Sequence, residues 1–188
     1  MVGHVVSNSG LLCMAFYLLL LRHAKSSRDD PDLDDRRRPL AKRGRQAAEI
    51  MASYLAAEDL KPDLVLCSTA KRTRQTLDRI LHVWPDLTVH YEDDLYLASV
   101  ADTIRLLKEA ESAGRVLVVG HNPTMEDMVR HLVDRSSHHH GKAMVNLALK
   151  YPTGALAVLS LNIGSWSDIT QRCGQLTHFI KPRNLEGP

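Results

Sequence analysis

The run Phe16-Tyr-Leu-Leu-Leu-Leu21 ends abruptly on Arg22-His23. An unbroken apolar run this short is the pattern of a strand buried on both faces. The polar pair closing it stands where such a strand leaves its sheet. Outward from there, Lys25–Pro39 interleaves Asp and Arg and reads as a solvated, self-paired loop. Leu40–Leu55 then puts Ala47, Ile50, Met51, Tyr54 and Leu55 on one helical face. Pro62 breaks the pattern, and Asp63–Cys67 reads as a second buried strand. A helix is expected over residues 70–83, stopped by Pro85, and a third strand over Leu87–Tyr91. Val100–Ala110 is a third helix, with Gly114 at its expected C-cap, and Arg115–Val119 a fourth strand. Gly120-His-Asn-Pro123 is a turn, after which Thr124 is expected to cap a helix over Met125–Val133. Ser136–Lys142 reads as a loop, and Val145–Leu149 and Ala155–Leu161 as later strands.

Strands alternating with helices predict an α/β three-layer sandwich. Its central sheet is expected to be mostly parallel and covered by helices on both faces. Residues 1–13 read as an extension ahead of a single domain at 14–188. Ligands of such sheets sit beyond the carboxyl ends of the strands. The polar residues there are Arg22-His23, Ser68 with Arg72, and Gly120-His121. Arginine presents a planar fork of donors that keeps its charge, which suits a phosphate dianion. Histidine serves as nucleophile, acid or base near neutrality. The simplest ligand for this set is a phosphoryl group.

Composition narrows the field. Lys and Arg number 24 against 22 Asp and Glu in 188 residues, a net charge of +2, which argues against a nucleic-acid binder. Aromatic residues at 5% argue against a base-stacking platform. Cys13, Cys67 and Cys173 form no C-x-x-C pair, so no zinc or redox motif is expected, and a reducing compartment is favoured. The apolar stretch Leu11–Leu21 is about half of a membrane span. A cytoplasmic protein with no membrane partner is the expectation. His138-His-His140 reads as loop, because adjacent histidines cannot easily share one tetrahedral ion. Cys67, Trp84 and Trp166 are expected to pack.

Four segments together resemble the histidine phosphatase superfamily. Leu18-Leu-Leu-Leu-Arg-His-Ala24 resembles its strand-plus-RH signature, and Leu40-Ala-Lys-Arg-Gly44 its L-x-x-x-G helix start. Ser68-Thr-Ala-Lys-Arg-Thr-Arg-Gln-Thr76 resembles its S-x-x-x-R-[AT]-x-Q-T segment, and Val118-Val-Gly-His-Asn-Pro123 its second histidine motif. The short chain, with RHAKSS and GHNP, looks most like the SixA-type phosphohistidine phosphatases, and so implies a phosphoglycerate mutase-like fold. Arg28 and Arg36-Arg37 stand where related chains often carry an aromatic, which changes the entrance rather than the phosphate pocket.

The resemblance implies roles. His23 is the nucleophile; Arg22 and Arg72 bind the phosphoryl oxygens, and His121 donates a further hydrogen bond. Many members place a proton-donating carboxylate after the third strand, where Glu92, Asp93 and Asp94 stand; Asp94 is the expected one. No metal or other cofactor is expected, because the arginines supply the charge. The leading substrate is phosphohistidine in a protein. A small phosphate ester, or a phosphate-binding module with little turnover, are the alternatives, and mutase activity is a lesser one.

Overall fold

The computed structural model describes residues 15–134 and 150–185. The strand expected at Val145–Leu149, the loop with His138–His140 and the extension 1–13 lie outside them. Six strands and four helices alternate for most of the chain among the described residues: β1 (Phe16–Arg22), α1 (Lys42–Ala57), β2 (Leu64–Ser68), α2 (Lys71–Val83), β3 (Thr88–Glu92), α3 (Val100–Lys108), β4 (Arg115–Gly120), α4 (Thr124–Leu132), β5 (Leu156–Leu161) and β6 (Gly174–Ile180). The sheet order is β3-β2-β4-β1-β5-β6. The pairs β3–β2, β2–β4 and β4–β1 are parallel, whereas β1–β5 and β5–β6 are antiparallel, so the sheet is mixed.

Side chains alternate across each strand, and this divides the core in two. Leu18, Leu20, Val116 and Val118 cluster with Leu107 of α3 and Met128 and Val129 of α4. Leu19, Leu21, Leu117 and Val119 cluster with Met51 and Leu55 of α1 and with Leu77 and Ile80 of α2. Every residue from Leu18 to Leu21 is fully buried, which is why the run shows no polar alternation. Burying one such leucine contributes about 1.5–3 kcal/mol. Cys67 and Trp166 pack in this core, and the Trp166 indole N–H donates to the Ala113 carbonyl at 2.6 Å.

Three local expectations need correction. Helix α3 ends at Lys108 with Glu109 at its C-cap, and Gly114 instead offers its carbonyl to Tyr17 N–H ahead of β4. Thr124 is the first residue of α4 rather than its cap, and its hydroxyl donates across to the Ala98 carbonyl. Strand β6 was not foreseen. It stands last in the order of the described strands, with a register shift opposite Val158/Leu159, so its apolar residues fall out of strict alternation. Among the described residues no helix is long and apolar enough to cross a membrane.

Candidate active site

The register of the sheet assembles the site. In the β1–β4 ladder Arg22 stands opposite Gly120, so the next residues, His23 and His121, leave the sheet side by side. Their rings lie 5.2 Å apart, centroid to centroid. In the β2–β4 ladder Cys67 stands opposite Val119, which brings Ser68 level with Gly120. The Ser68 hydroxyl is 2.9 Å from His121 Nε2.

Helix α2 is tied to this edge through the polar positions of its own motif. The Thr73 hydroxyl donates to the Ser68 carbonyl at 2.7 Å. Gln75 Oε1 accepts from Leu40 N–H at 2.7 Å, and Thr76 Oγ1 accepts from Ala24 N–H at 3.0 Å. The helix thus holds the chain on both sides of the Lys25–Pro39 loop while Arg72 points into the site. Arg72 NH2 is 3.2 Å from His121 Nδ1. Arg22 NH1 donates to the Tyr151 carbonyl at 2.6 Å, and the buried Tyr151 hydroxyl reaches back to the Leu20 carbonyl.

These partners fix both histidine tautomers. His23 Nδ1 lies 2.7 Å from the Ala24 carbonyl, which only accepts, so Nδ1 carries the proton and Nε2 keeps its lone pair. A guanidinium only donates, so His121 Nδ1 accepts from Arg72 and its proton sits on Nε2, facing Ser68. Burial pushes the His23 imidazole down to about 4; the bond to the Ala24 carbonyl opposes this, and Arg72 and Arg22 reinforce it. Burial, then the neighbouring His23 and Arg72, push His121 down to about 3. Both rings are therefore neutral near pH 7.

Arg22, His23, Arg72 and His121 are thus brought to one place, but Asp94 is not. Its carboxylate pairs with Arg105 of α3 at 2.5 Å on the exposed surface. Its neighbour Asp93 turns the other way, accepting from the Thr69 hydroxyl at 2.5 Å and from Arg36 at 3.3 Å. A single residue of sequence decides this, because Asp93–Leu95 is a short turn of 3-10 helix that sends successive side chains in different directions.

Two contributors were missed. Asp35 accepts from Arg72 through its carbonyl at 2.5 Å and its carboxylate at 2.9 Å. Tyr96 donates to Asp35 at 2.8 Å and packs edge-on to His121 at 5.5 Å. Asp35 was hidden in a mixed-charge loop, and only part of that loop pairs with itself, through Arg38 and Asp35. The available signal for Tyr96 was its place directly after buried Leu95 at the end of the third strand unit. Among the described residues no group of three or more His, Cys, Asp or Glu is arranged to hold a metal ion.

Two buried neutral histidines between two arginines at a strand edge define a phosphoryl-handling site. Comparison with known proteins gives that class its family. The model of the histidine phosphatase superfamily (branch 1) matches residues 18–96. The uncharacterized protein Rv1276c of Mycobacterium tuberculosis is 36% identical over 164 residues, covering 87% of this chain and all of that one. A structure assigned as the phosphohistidine phosphatase SixA of Nakamurella multipartitia is 33% identical, with a TM-score of 0.77, covering 89% of this chain and 96% of that one. Its counterpart from Agrobacterium tumefaciens is 31% identical, with a TM-score of 0.72, covering 89% and 98%. The chain belongs to the histidine phosphatase superfamily, is of the SixA type, and is a phosphatase.

Proposed function

We propose that this phosphatase removes the phosphoryl group from phosphohistidine in a protein, through a phosphohistidine intermediate on His23 and without a metal. The observation that carries the reading is His23 itself: buried, neutral, and held by the Ala24 carbonyl with its Nε2 lone pair free for attack.

His23 Nε2 attacks phosphorus, the P–N bond of the substrate breaks, and its electron pair stays on the departing imidazole, which takes a proton from solvent water. A water then attacks the phosphorylated His23, releasing inorganic phosphate, returning a proton to solvent and restoring the neutral ring. Arg22 and Arg72 bind the phosphoryl oxygens, and the transition state is stabilised by position and charge. His121 contributes its Nε2–H, with a phosphoryl oxygen replacing Ser68 as acceptor. Imidazole leaves more readily than an alkoxide, so this substrate does not require Asp94, whose carboxylate is engaged with Arg105. The SixA relatives support the substrate class, and the buried Cys67 thiol suits a reducing cytoplasm. Neither nucleic acid nor membrane has a part in this reading.

Phosphate release tests it. The substrates are a protein phosphorylated on histidine with phosphoramidate and p-nitrophenyl phosphate, each with a chelator present. Wild type should act on the phosphohistidine protein, and His23→Ala should not. Preference for the ester would move the substrate to small phosphates, and release from neither would leave a binding module.

A further inference from the structure

We propose that the cleft between α1 and the 3-10 turn Pro182–Asn184 is a second anion site, which takes a polyphosphate group. The cleft encloses about 790 Å3, within the size range of small-molecule sites. Lys25, Arg43, Lys181 and Arg183 line it, and Glu49 is the one carboxylate among its described lining residues. Glu49 pairs at 3.5 Å with Arg79 of α2, which lies outside the lining. Four cations against one carboxylate exceed the net charge of +2 carried by the whole chain. None of Arg22, His23, Arg72 and His121 lines the cleft, so it is separate from the phosphoryl site.

The charges are not cancelled from within. Among the described residues Lys25, Arg43 and Arg183 take part in no ion pair. Lys181 is buried, and burial, followed by the neighbouring Arg183, lowers its pKa. Like charges gathered in this way repel until an anion enters. Guanidinium groups fork onto phosphate oxygens, and a phosphate chain carries several negative charges in a row. It therefore matches this set better than a single carboxylate does.

The floor of the cleft is fixed in advance. Its residues Pro152 and Thr153 lead into Gly154, whose φ is +78°. Gly154 N–H lies 3.0 Å from both the Arg22 and the His23 carbonyls, which ties this turn to the end of β1. A Cβ on Gly154 would meet Pro182 Cγ at 2.9 Å, so the turn packs closely on the segment that carries Arg183. A site already formed loses less freedom when its ligand binds.

Calorimetric titration of the full chain tests this, with tripolyphosphate and ATP as probes and a chelator present. Wild type should bind, and Arg43→Gln/Arg183→Gln should weaken binding at least about tenfold. Both side chains are exposed, so Tm without a probe should be equal or higher in that variant. Lys61→Gln/Lys108→Gln removes the same charge outside the cleft and should bind as wild type does. Inorganic phosphate should inhibit phosphoimidazole turnover equally in all three proteins, because that reads the phosphoryl site. ATP bound more tightly than tripolyphosphate assigns an organic polyphosphate, and the reverse order an inorganic one. Absence of binding by wild type overturns the proposal. So does undiminished binding by Arg43→Gln/Arg183→Gln, which would put the probe in the phosphoryl site, or an equal loss in Lys61→Gln/Lys108→Gln, which would make the attraction diffuse.

Discussion

Arg72 and Asp35 are joined twice, through NH1 to the Asp35 carbonyl at 2.5 Å and NH2 to its carboxylate at 2.9 Å. Burial works against the carboxylate, but Tyr96 and Arg72 together hold its pKa below the usual range. The Asp35 side chain is half exposed, so the ion pair itself contributes at most about 1 kcal/mol. Its larger effect is orientation, because the Arg72 side chain it grips is 8% exposed and aimed into the site. Asp35→Ala should therefore lower kcat about tenfold, with a smaller change in KM and little change in Tm. Asp35→Asn, which keeps an acceptor for Arg72, should recover part of the loss. Steady-state kinetics on phosphoimidazole decide the matter; full activity in Asp35→Ala would show that the fork is held without it.

The two depressed histidines set the acid limit of both activity and stability. Folded pKa values of about 4 for His23 and about 3 for His121 lie below an unfolded value of 6.5. Between these limits the unfolded chain binds more protons than the native one. Stability is thus fully present above about pH 6.5 and falls as pH drops toward 4. The slope is at most about 1.4 kcal/mol per pH unit for each ring. His121→Gln removes one ring from this balance, so its loss of stability between pH 7 and pH 4 should be smaller than that of wild type. Urea unfolding at a series of pH values reads this directly. Turnover should stay near its neutral value at pH 5.5 and fall as His23 protonates near pH 4, and a fall centred at 6.5 would contradict the buried neutral ring.

Asp94 is engaged with Arg105 on the surface, and both side chains are more than half exposed. Asp94→Asn should change kcat/KM for phosphoimidazole by less than about twofold and stability by less than about 0.5 kcal/mol. Asp93→Asn disturbs the bonds to Thr69 and Arg36 at the rim, so its effect should be the larger of the two. A strong loss in Asp94→Asn alone, measured on p-nitrophenyl phosphate, would restore it as a proton donor for esters.

The site was legible in sequence wherever the sheet alone determines position. Arg22, His23 and His121 follow buried apolar runs, and a parallel ladder brings such strand ends together whatever the loops do. Arg72 was legible because its motif spacing places it in the first turn of α2. Asp35, Tyr96 and the orientation of Asp94 depend on short 3-10 turns and on contacts more than 30 residues apart, which no local periodicity encodes. The same reason hid β6, which ends the sheet order of the described strands and pairs with β5 in an interrupted register.

Gly44 offers a last test of how tightly the nucleophile's loop is built. It lies in the first turn of α1, and a Cβ there would meet the Lys25 carbonyl oxygen at 2.0 Å, with the Lys25 carbonyl carbon at 2.9 Å. These are backbone atoms, so no side-chain rotation relieves the overlap. The same carbonyl accepts from Ala41 N–H at 2.9 Å, an anchor between the loop and α1. Gly44→Ala must therefore push Lys25 and the helix apart, two residues beyond His23. It should cost about 1–3 kcal/mol of stability and lower kcat more than tenfold. Gly164→Ala is the control, since the nearest atom to its added Cβ is Asp168 Oδ2 at 3.3 Å, the end of an exposed side chain that can give way rather than backbone. Its stability should stay within about 0.5 kcal/mol of wild type and its turnover should be unchanged. Equal behaviour of the two variants in thermal unfolding and phosphate release would mean that α1 does not seat the nucleophile's loop.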